Sequence, residues 1–109
     1  MAYDEGLAQR IREELEGRDD VVEKKMFGGL AFLLGGNMSV GVMKSELMVR
    51  TGPDGYDAAL AEPHARKMDF TGRAMKGFVY VGLEGFESDD DLRAWIERGV
   101  AFAGSLPPK

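Results

Sequence analysis

The sequence contains no cysteine and a single histidine, His64. Without cysteine there are no disulfides, no thiol chemistry and no cysteine ligands for a metal. One histidine offers no partner for a zinc site, and none of the serines lies in a recognisable nucleophile motif. No apolar run approaches the length of a membrane span, and the N-terminus shows no secretory segment. We therefore expect a cytoplasmic protein that is not an enzyme and that uses no metal or cofactor.

Charge is unevenly distributed along a chain whose formal net charge is -5. Residues 24–76 carry a net charge of +3, whereas residues 1–23 carry -5 and residues 77–109 carry -3. An acidic total makes direct nucleic-acid binding by the chain alone unfavourable, because that binding depends on neutralising phosphates. The basic middle indicates either solvated side chains that protect sheet edges or a docking face for an acidic partner. Solvated surface is the commoner use of charge.

The middle of the chain predicts a β-meander. Residues 24–51 hold three apolar runs separated by two short turn signals, Gly35-Gly36-Asn37 and Lys44-Ser45-Glu46. Connections of this length force consecutive strands to pair antiparallel. The predicted strands are residues 22–27, 30–34, 38–43 and 47–50, followed later by a second pair at residues 66–70 and 77–81.

Three segments have the periodicity of amphipathic helices. In residues 4–17 the side chains of Leu7, Ile11 and Leu15 form one apolar stripe. A second helix begins near Pro53 and ends before Pro63, since proline fits the first turn and not the interior. The third follows the predicted N-cap Ser88, ends at Gly104 and precedes a short tail.

The element order is therefore α-β-β-β-β-α-β-β-α. This order predicts the α+β class, a single two-layer domain over residues 1–109 with an ordered core of about residues 4–104. Its antiparallel sheet has the helices packed on one face, because hairpins rather than crossover helices join most strands.

Two motifs resemble ligand sites but have simpler explanations. Gly28-Gly29 and Gly35-Gly36 lack the spacing of a phosphate-binding loop and precede strands, so we interpret them as turns or bulges. The aspartates at residues 89–91 lack the alternating ligands of a calcium loop, and they suit the first turn of a helix.

Six of the seven methionines lie between residues 26 and 75. Methionine fills cores and also forms adaptable binding surfaces. At strand positions we expect core, with an exposed partner groove as the alternative. A sheet face that left Met and Phe open would be buried by a homodimer.

Two blocks of the sequence resemble one known family. The first comprises residues 25–32 (KMFGGLAF) and 36–38 (GNM). The second comprises residues 63–66 (PHAR), 68–73 (MDFTGR) and 75–79 (MKGFV). Together with residues 47–50 (LMVR) and Gly52-Pro53, they resemble the N-terminal domain of the TfoX/Sxy family in order and spacing, over nearly the whole chain.

This resemblance implies a small bacterial α+β domain without catalytic residues. The family's namesakes regulate competence for DNA uptake, as transcriptional co-activators with the cyclic-AMP receptor protein. They carry a C-terminal domain, and we expect this chain to represent a stand-alone N-terminal domain. The implied function is a non-enzymatic regulatory module that binds a protein partner, such as a transcription regulator.

The basic middle and the two family blocks provide the candidate partner-binding residues. These residues are Lys24, Lys25, Phe27, Arg66, Lys67, Arg73 and Lys76. The alternatives to a regulatory module are a self-associating structural module of unknown ligand and, ranked last, a small enzyme. Catalytic, cofactor-binding and metal-binding residues are all expected to be absent.

Overall fold

The computed structural model describes residues 3–26, 28–70 and 73–108, without the side chains of residues 69, 70 and 73–75. Within these residues the predicted order of elements is confirmed. The helices are α1 (Glu5–Glu14), α2 (Gly52–Leu60) and α3 (Asp89–Gly104). The strands are β1 (Val21–Met26), β2 (Gly29–Leu34), β3 (Asn37–Met43), β4 (Glu46–Arg50), β5 (Ala65–Phe70) and β6 (Arg73–Val81). A 3-10 turn (Leu83–Gly85) links β6 to α3.

The six strands form one antiparallel sheet in the order β1-β2-β3-β4-β6-β5. The connection between β2 and β3 is a two-residue hairpin in which Gly35 and Gly36 have φ angles of 58° and 86°. A type I′ turn needs positive φ at both positions, which glycine adopts without steric cost. The meander of β1 to β4 thus follows the chain, whereas β6 inserts between β4 and β5.

The three helices in the described residues pack on the same face of the sheet, as predicted. Ile11 of α1, Tyr56 of α2 and Trp95 of α3 belong to one buried cluster. Its strand members are Leu30, Phe32, Val40, Val42, Leu47, Val49, Val79 and Val81. Those eight side chains form two cross-strand rows, so the main core lies between the sheet and the helix layer.

The other side of the sheet, which we call the outer face, carries none of these helices. Its described side chains are Val22, Lys24, Met26, Ala31, Leu33, Met38, Met43, Glu46, Met48, Arg50, Arg66, Met68, Phe78 and Tyr80, with Gly41 near the centre. A second, smaller buried cluster lies here and consists of Met48, Met68 and Tyr80. The helices of the described chain therefore leave one face of the sheet uncovered.

Tertiary contacts shift several predicted boundaries. The first helix ends at Glu14 rather than residue 17, and Gly17 lies in the following turn with φ 92°. The last strand begins at Arg73 rather than residue 77, because β5 pairs with it beyond the end of β4. The predicted turn at residues 71–72 and Phe27 lie outside the described residues.

Asn37 was predicted in the turn, and the structure shows that this is wrong. It is the first residue of β3, only 3% exposed, and its side-chain amide donates a hydrogen bond to the carbonyl oxygen of Pro107 at 3.0 Å. This bond attaches the segment after α3 to the β2–β3 hairpin. It also satisfies the buried amide, which would cost free energy if it had no partner.

Candidate functional site

The described residues of the longer parts of the two sequence blocks, 25–32 and 68–73, lie at diagonally opposite corners of the sheet. The first ends β1 and begins β2, at the same end of the sheet as the turn at Lys44 and Ser45. The second includes the end of β5 and the start of β6, at the other end of the sheet with Gly35 and Gly36. The edge strands β1 and β5 are about 24 Å apart, at about 4.8 Å per strand. Because the helices cover the opposite side, the outer face is the surface that joins these corners.

One cross-strand row runs across the whole outer face. In order from β1 to β5 it consists of Lys24, Ala31, Gly41, Met48, Tyr80 and Arg66. The row is cationic at both ends and apolar between them. Its β2 and β3 positions hold small residues, whereas its β4 and β6 positions hold large ones.

The five methionines whose side chains the structure describes all belong to the outer face. Met48 and Met68 are 3% and 1% exposed, and Met38 and Met43 are half-buried against the cluster that they form with Tyr80. The two predictions for the methionines therefore hold for different residues. Met48 and Met68 are buried as core, whereas Met38 and Met43 are partly open to the surface. A methionine-rich face can repack around ligands of different shape, since its side chains are unbranched and flexible.

Met48 lies across Gly41 at the centre of this face. A Cβ atom built on Gly41 would approach the Met48 methyl carbon to 2.6 Å, so the side chain occupies the space above the glycine. The next row of the outer face lies closer to the Gly35–Gly36 end of the strands. It runs from Val22, which is 60% exposed, through Leu33 to Met38. This row, which we call the apolar strip, is the most open apolar part of the outer face among the described residues.

Three cationic side chains accompany the apolar residues. Lys24 is exposed at the β1 edge and forms no ion pair within the described residues. The guanidinium of Arg50, at the end of β4, lies 5.5 Å from the ring centre of Phe78 on the outer face and 5.1 Å from that of Phe102 in α3, so it lies at the margin where the outer face meets the helix layer. Such ring contacts hold a cation in place without neutralising it.

The third cation, Arg66, is already paired. Its guanidinium binds both carboxylate oxygens of Glu46 and lies 4.9 Å from the ring centre of Tyr80. The hydrogen bond to Glu46 raises the pKa of the Arg66 side chain above its ordinary value, because the carboxylate stabilises the charged guanidinium. Arg66 therefore contributes less free charge to the outer face than Lys24 or Arg50.

The structure divides the seven candidate partner-binding residues between several locations. Lys24 and Arg66 lie on the outer face at opposite edges. Lys25 and Lys67 follow them directly in β1 and β5, so their side chains are on the helix side of the same strands. The remaining three comprise an exposed Lys76, Phe27 outside the described residues, and Arg73, which begins β6 and whose side chain is not described.

The three helices of the described chain hold nine of the nineteen acidic residues. Among strand side chains that the structure describes, Glu46 is the one carboxylate of the outer face, which has a net charge of +2, against -5 for the whole chain. Sequence reasoning found the basic middle but missed Arg50, Val22 and Leu33. The available signal was strand alternation, which places Val22 on the same face as Lys24.

His64 lies in an open depression of about 310 Å³ on the helix side. The depression is also lined by Glu62, Glu84, Asp91 and Trp95. His64 and the three carboxylates are exposed, and within the described chain no hydrogen bond joins the imidazole to any of them. Among the same residues, no three His, Cys, Asp or Glu side chains lie within reach of one metal ion.

A second depression, of about 450 Å³, lies between α2 and α3. Its walls are mainly Gly55, Ala58, Ala101 and Phe102, with Arg98 at the margin. Arg98, the charged residue of this lining, is paired with Glu62 at 3.1 Å. We find no arrangement there that would recognise a particular ligand.

No helix in the described part of the chain is long and apolar enough to cross a membrane. The sequence profile of the TfoX N-terminal domain matches residues 13–103. Among curated proteins, no sequence matches this chain. The matched region begins within α1, includes every strand of the sheet and ends in the last turn of α3.

Proposed function

The chain belongs to the TfoX N-terminal domain family, and from this premise we propose that it is a non-enzymatic regulatory module that binds a protein partner. The partner that family kinship favours is a transcription regulator, in a role like that of the competence regulators. Kinship supports the regulatory class, and the outer face provides the surface on which a partner could bind.

The single observation that carries the proposal is the uncovered face of the sheet. A sheet that is apolar on both faces normally buries both, as in a three-layer domain or an oligomer. Here the described helices cover one face, and the apolar strip of Val22, Leu33 and Met38 stays partly open on the other. Open contiguous apolar surface is typical of an interaction site.

The candidate contact residues keep their role in this proposal, with different weights. Lys24 and Arg66 share the outer face with the apolar strip, so they are the first candidates to test. Arg73 and Lys76 belong to the strand of the second family block, and reversing both charges tests that block separately. Lys25 and Lys67 lie on the helix side and serve as controls.

The test is capture of partners from a cell extract by the tagged domain at low and at moderate salt. The variant Val22→Glu puts a charge on the outer face at a side chain that is 60% exposed. Its matched control, Leu83→Glu, makes a similar change at a side chain that is 59% exposed in the 3-10 turn, outside the sheet. Neither change should unfold the domain, because both native side chains already contact water.

We expect a transcription regulator in the eluate of the native domain and of Leu83→Glu, and at least a tenfold smaller amount with Val22→Glu. Equal capture by all three proteins would show that the partner uses another surface. An eluate without any partner at either salt concentration would contradict the regulatory proposal itself.

A further inference from the structure

We propose that the outer face binds an acidic amphipathic helix of the partner, an inference that rests on the proposed protein-binding function. The apolar side of such a helix would lie on Leu33, Met38 and Met43, and its carboxylates would approach Lys24 and Arg50. Different observations support the apolar contacts and the electrostatic contacts of this complex.

The form of the bound segment follows from hydrogen bonding. The inner strands of the sheet are paired on both sides, so the outer face offers side chains rather than free backbone groups. An extended segment lying on it would lose water from backbone groups without gaining partners. A helix satisfies its own backbone groups and presents one apolar stripe, which suits a methionine-rich surface.

The dimensions are compatible with a helix of ordinary length. The sheet is about 24 Å wide from β1 to β5, which equals the length of a helix of about 16 residues. A helix lying across the strands would pass over Ala31 and over the Met48 side chain that fills the space above Gly41. Met48, which lies over Gly41, can adjust its flexible side chain to the bound segment.

The sign of the partner's charge follows from the distribution of charge over the domain. Lys24 and Arg50 have no carboxylate partner within the described residues, whereas the arginines of the helix layer do. The one described carboxylate on the outer-face strand positions, Glu46, is bound to Arg66. A negatively charged segment thus meets unpaired cations, and a positively charged segment would meet repulsion.

The same facts disfavour a second copy of this chain as the occupant. The outer face, about 24 Å wide from β1 to β5, carries a cation at each of its edges, Lys24 and Arg66. Two such faces packed together would also bring a net charge of +2 on each copy into one desolvated layer. An acidic helix buries the apolar strip and neutralises charge at once.

The test uses two synthetic helical peptides of about 18 residues. Both carry the same leucine stripe, with glutamate at the polar positions of one and lysine at those of the other. Binding is measured by fluorescence anisotropy of the labelled peptides. Its location is read from the methionine methyl signals of the protein labelled with ¹³C-methyl methionine, since the described methionines all lie on the outer face.

Adjacent residues of β1 provide matched variants. Lys24→Glu and Lys25→Glu make the same charge change at exposed side chains of one edge strand, on opposite faces of the sheet. We expect the acidic peptide to shift the methyl signals of Met38 and Met43 and to bind at least tenfold tighter than the basic one. Lys24→Glu should weaken that binding by about threefold to tenfold, and Lys25→Glu by less than about twofold.

Equal binding of the two peptides, or equal effects of Lys24→Glu and Lys25→Glu, would overturn the inference. Methyl shifts with neither peptide would overturn it as well. If an oligothymidine strand, and not the acidic peptide, shifts the same methyl signals, the occupant is single-stranded nucleic acid and the inference is wrong. None of these outcomes contradicts the proposed protein-binding function itself. That function is tested by the capture assay, in which Val22→Glu and Leu83→Glu report on the outer face whatever the partner's charge.

Discussion

At the scale of single residues, Gly99 of α3 is held in close contact with the backbone of the sheet. A Cβ atom built there would lie 2.3 Å from the backbone oxygen of Ser39 and 2.7 Å from a methyl carbon of Val40. Ser39 occupies the irregularity where the register of β2 and β3 shifts, and its hydroxyl donates to the Phe32 carbonyl oxygen at 2.8 Å. The helix thus approaches the sheet backbone where the strand bulges, because glycine offers no side chain to hold it away.

This contact predicts that Gly99→Ala destabilises the protein although alanine is the better helix former. Alanine gains about 1 kcal/mol in helix propensity, whereas overpacking at 2.3 Å from a backbone oxygen belongs to the upper part of the usual range, about 2–3 kcal/mol. We expect a net decrease of about 1–2 kcal/mol in the free energy of unfolding, measured by urea denaturation.

Gly104→Ala is the control for this prediction. A Cβ atom built at Gly104 meets one side-chain carbon at 3.7 Å, which is ordinary contact. That variant should be neutral or slightly more stable. Equal destabilisation by the two changes would mean that the close approach of α3 to Ser39 does not limit position 99.

At the scale of elements, α1 and α3 begin with side-chain caps, and α2 does not. Asp4 accepts from the backbone N–H groups of Gly6 and Leu7, and Ser88 accepts from that of Asp91 at 3.1 Å. The hydroxyl of Thr51, before α2, instead donates to the carbonyl oxygens of Gly52 and Gly77. Thr51 therefore ties α2 to β6 rather than capping its first turn.

Ser88→Ala should remove the cap of α3 and lower the free energy of unfolding by about 1 kcal/mol. The reason is that the N–H of Asp91 would lose its side-chain acceptor near the start of the helix. Thermal or urea unfolding measures the change, and Ser88→Asp should restore most of the loss, since aspartate caps equally well. An unchanged stability of Ser88→Ala would mean that water replaces the hydroxyl at no cost.

At the scale of the whole molecule, the domain separates its charges into two layers. Exposed carboxylates crowd the helix layer, where Arg12, Arg93 and Arg98 pair with Glu23, Glu14 and Glu62. The outer face has the opposite sign and the open apolar surface. A molecule polarised in this way can orient a charged partner before contact, which raises association rates more than affinity.

This polarity predicts a monomer in solution. Like charges on two outer faces oppose their association. Size-exclusion chromatography with light scattering should return the monomer mass of 11.9 kDa at high protein concentration. A dimer that Val22→Glu dissociates, and that Leu83→Glu does not, would establish the alternative of a self-associating module.

The sequence by itself determined the elements and their order. The signals for these elements each act over a few residues, so their effects can be read locally. They are alternating apolar residues, hairpin-length connections, and the N-cap Ser88 followed by three aspartates. The two-layer arrangement followed as well, since antiparallel strands joined by hairpins leave the helices on one side. Family membership came from blocks of residues in fixed order, which the profile match over residues 13–103 confirmed.

Only the tertiary structure decided which face each side chain joins. In a regular strand Met38 and Val40 would share one face, and Met38 and Met43 would not. The register shift at Ser39 turns Met38 to the outer face beside Met43 and leaves Val40 in the main core. The order of strands likewise separated Lys24 from Arg66 by the width of the sheet. Bulges and strand order depend on contacts between residues distant in sequence, and no local pattern encodes them.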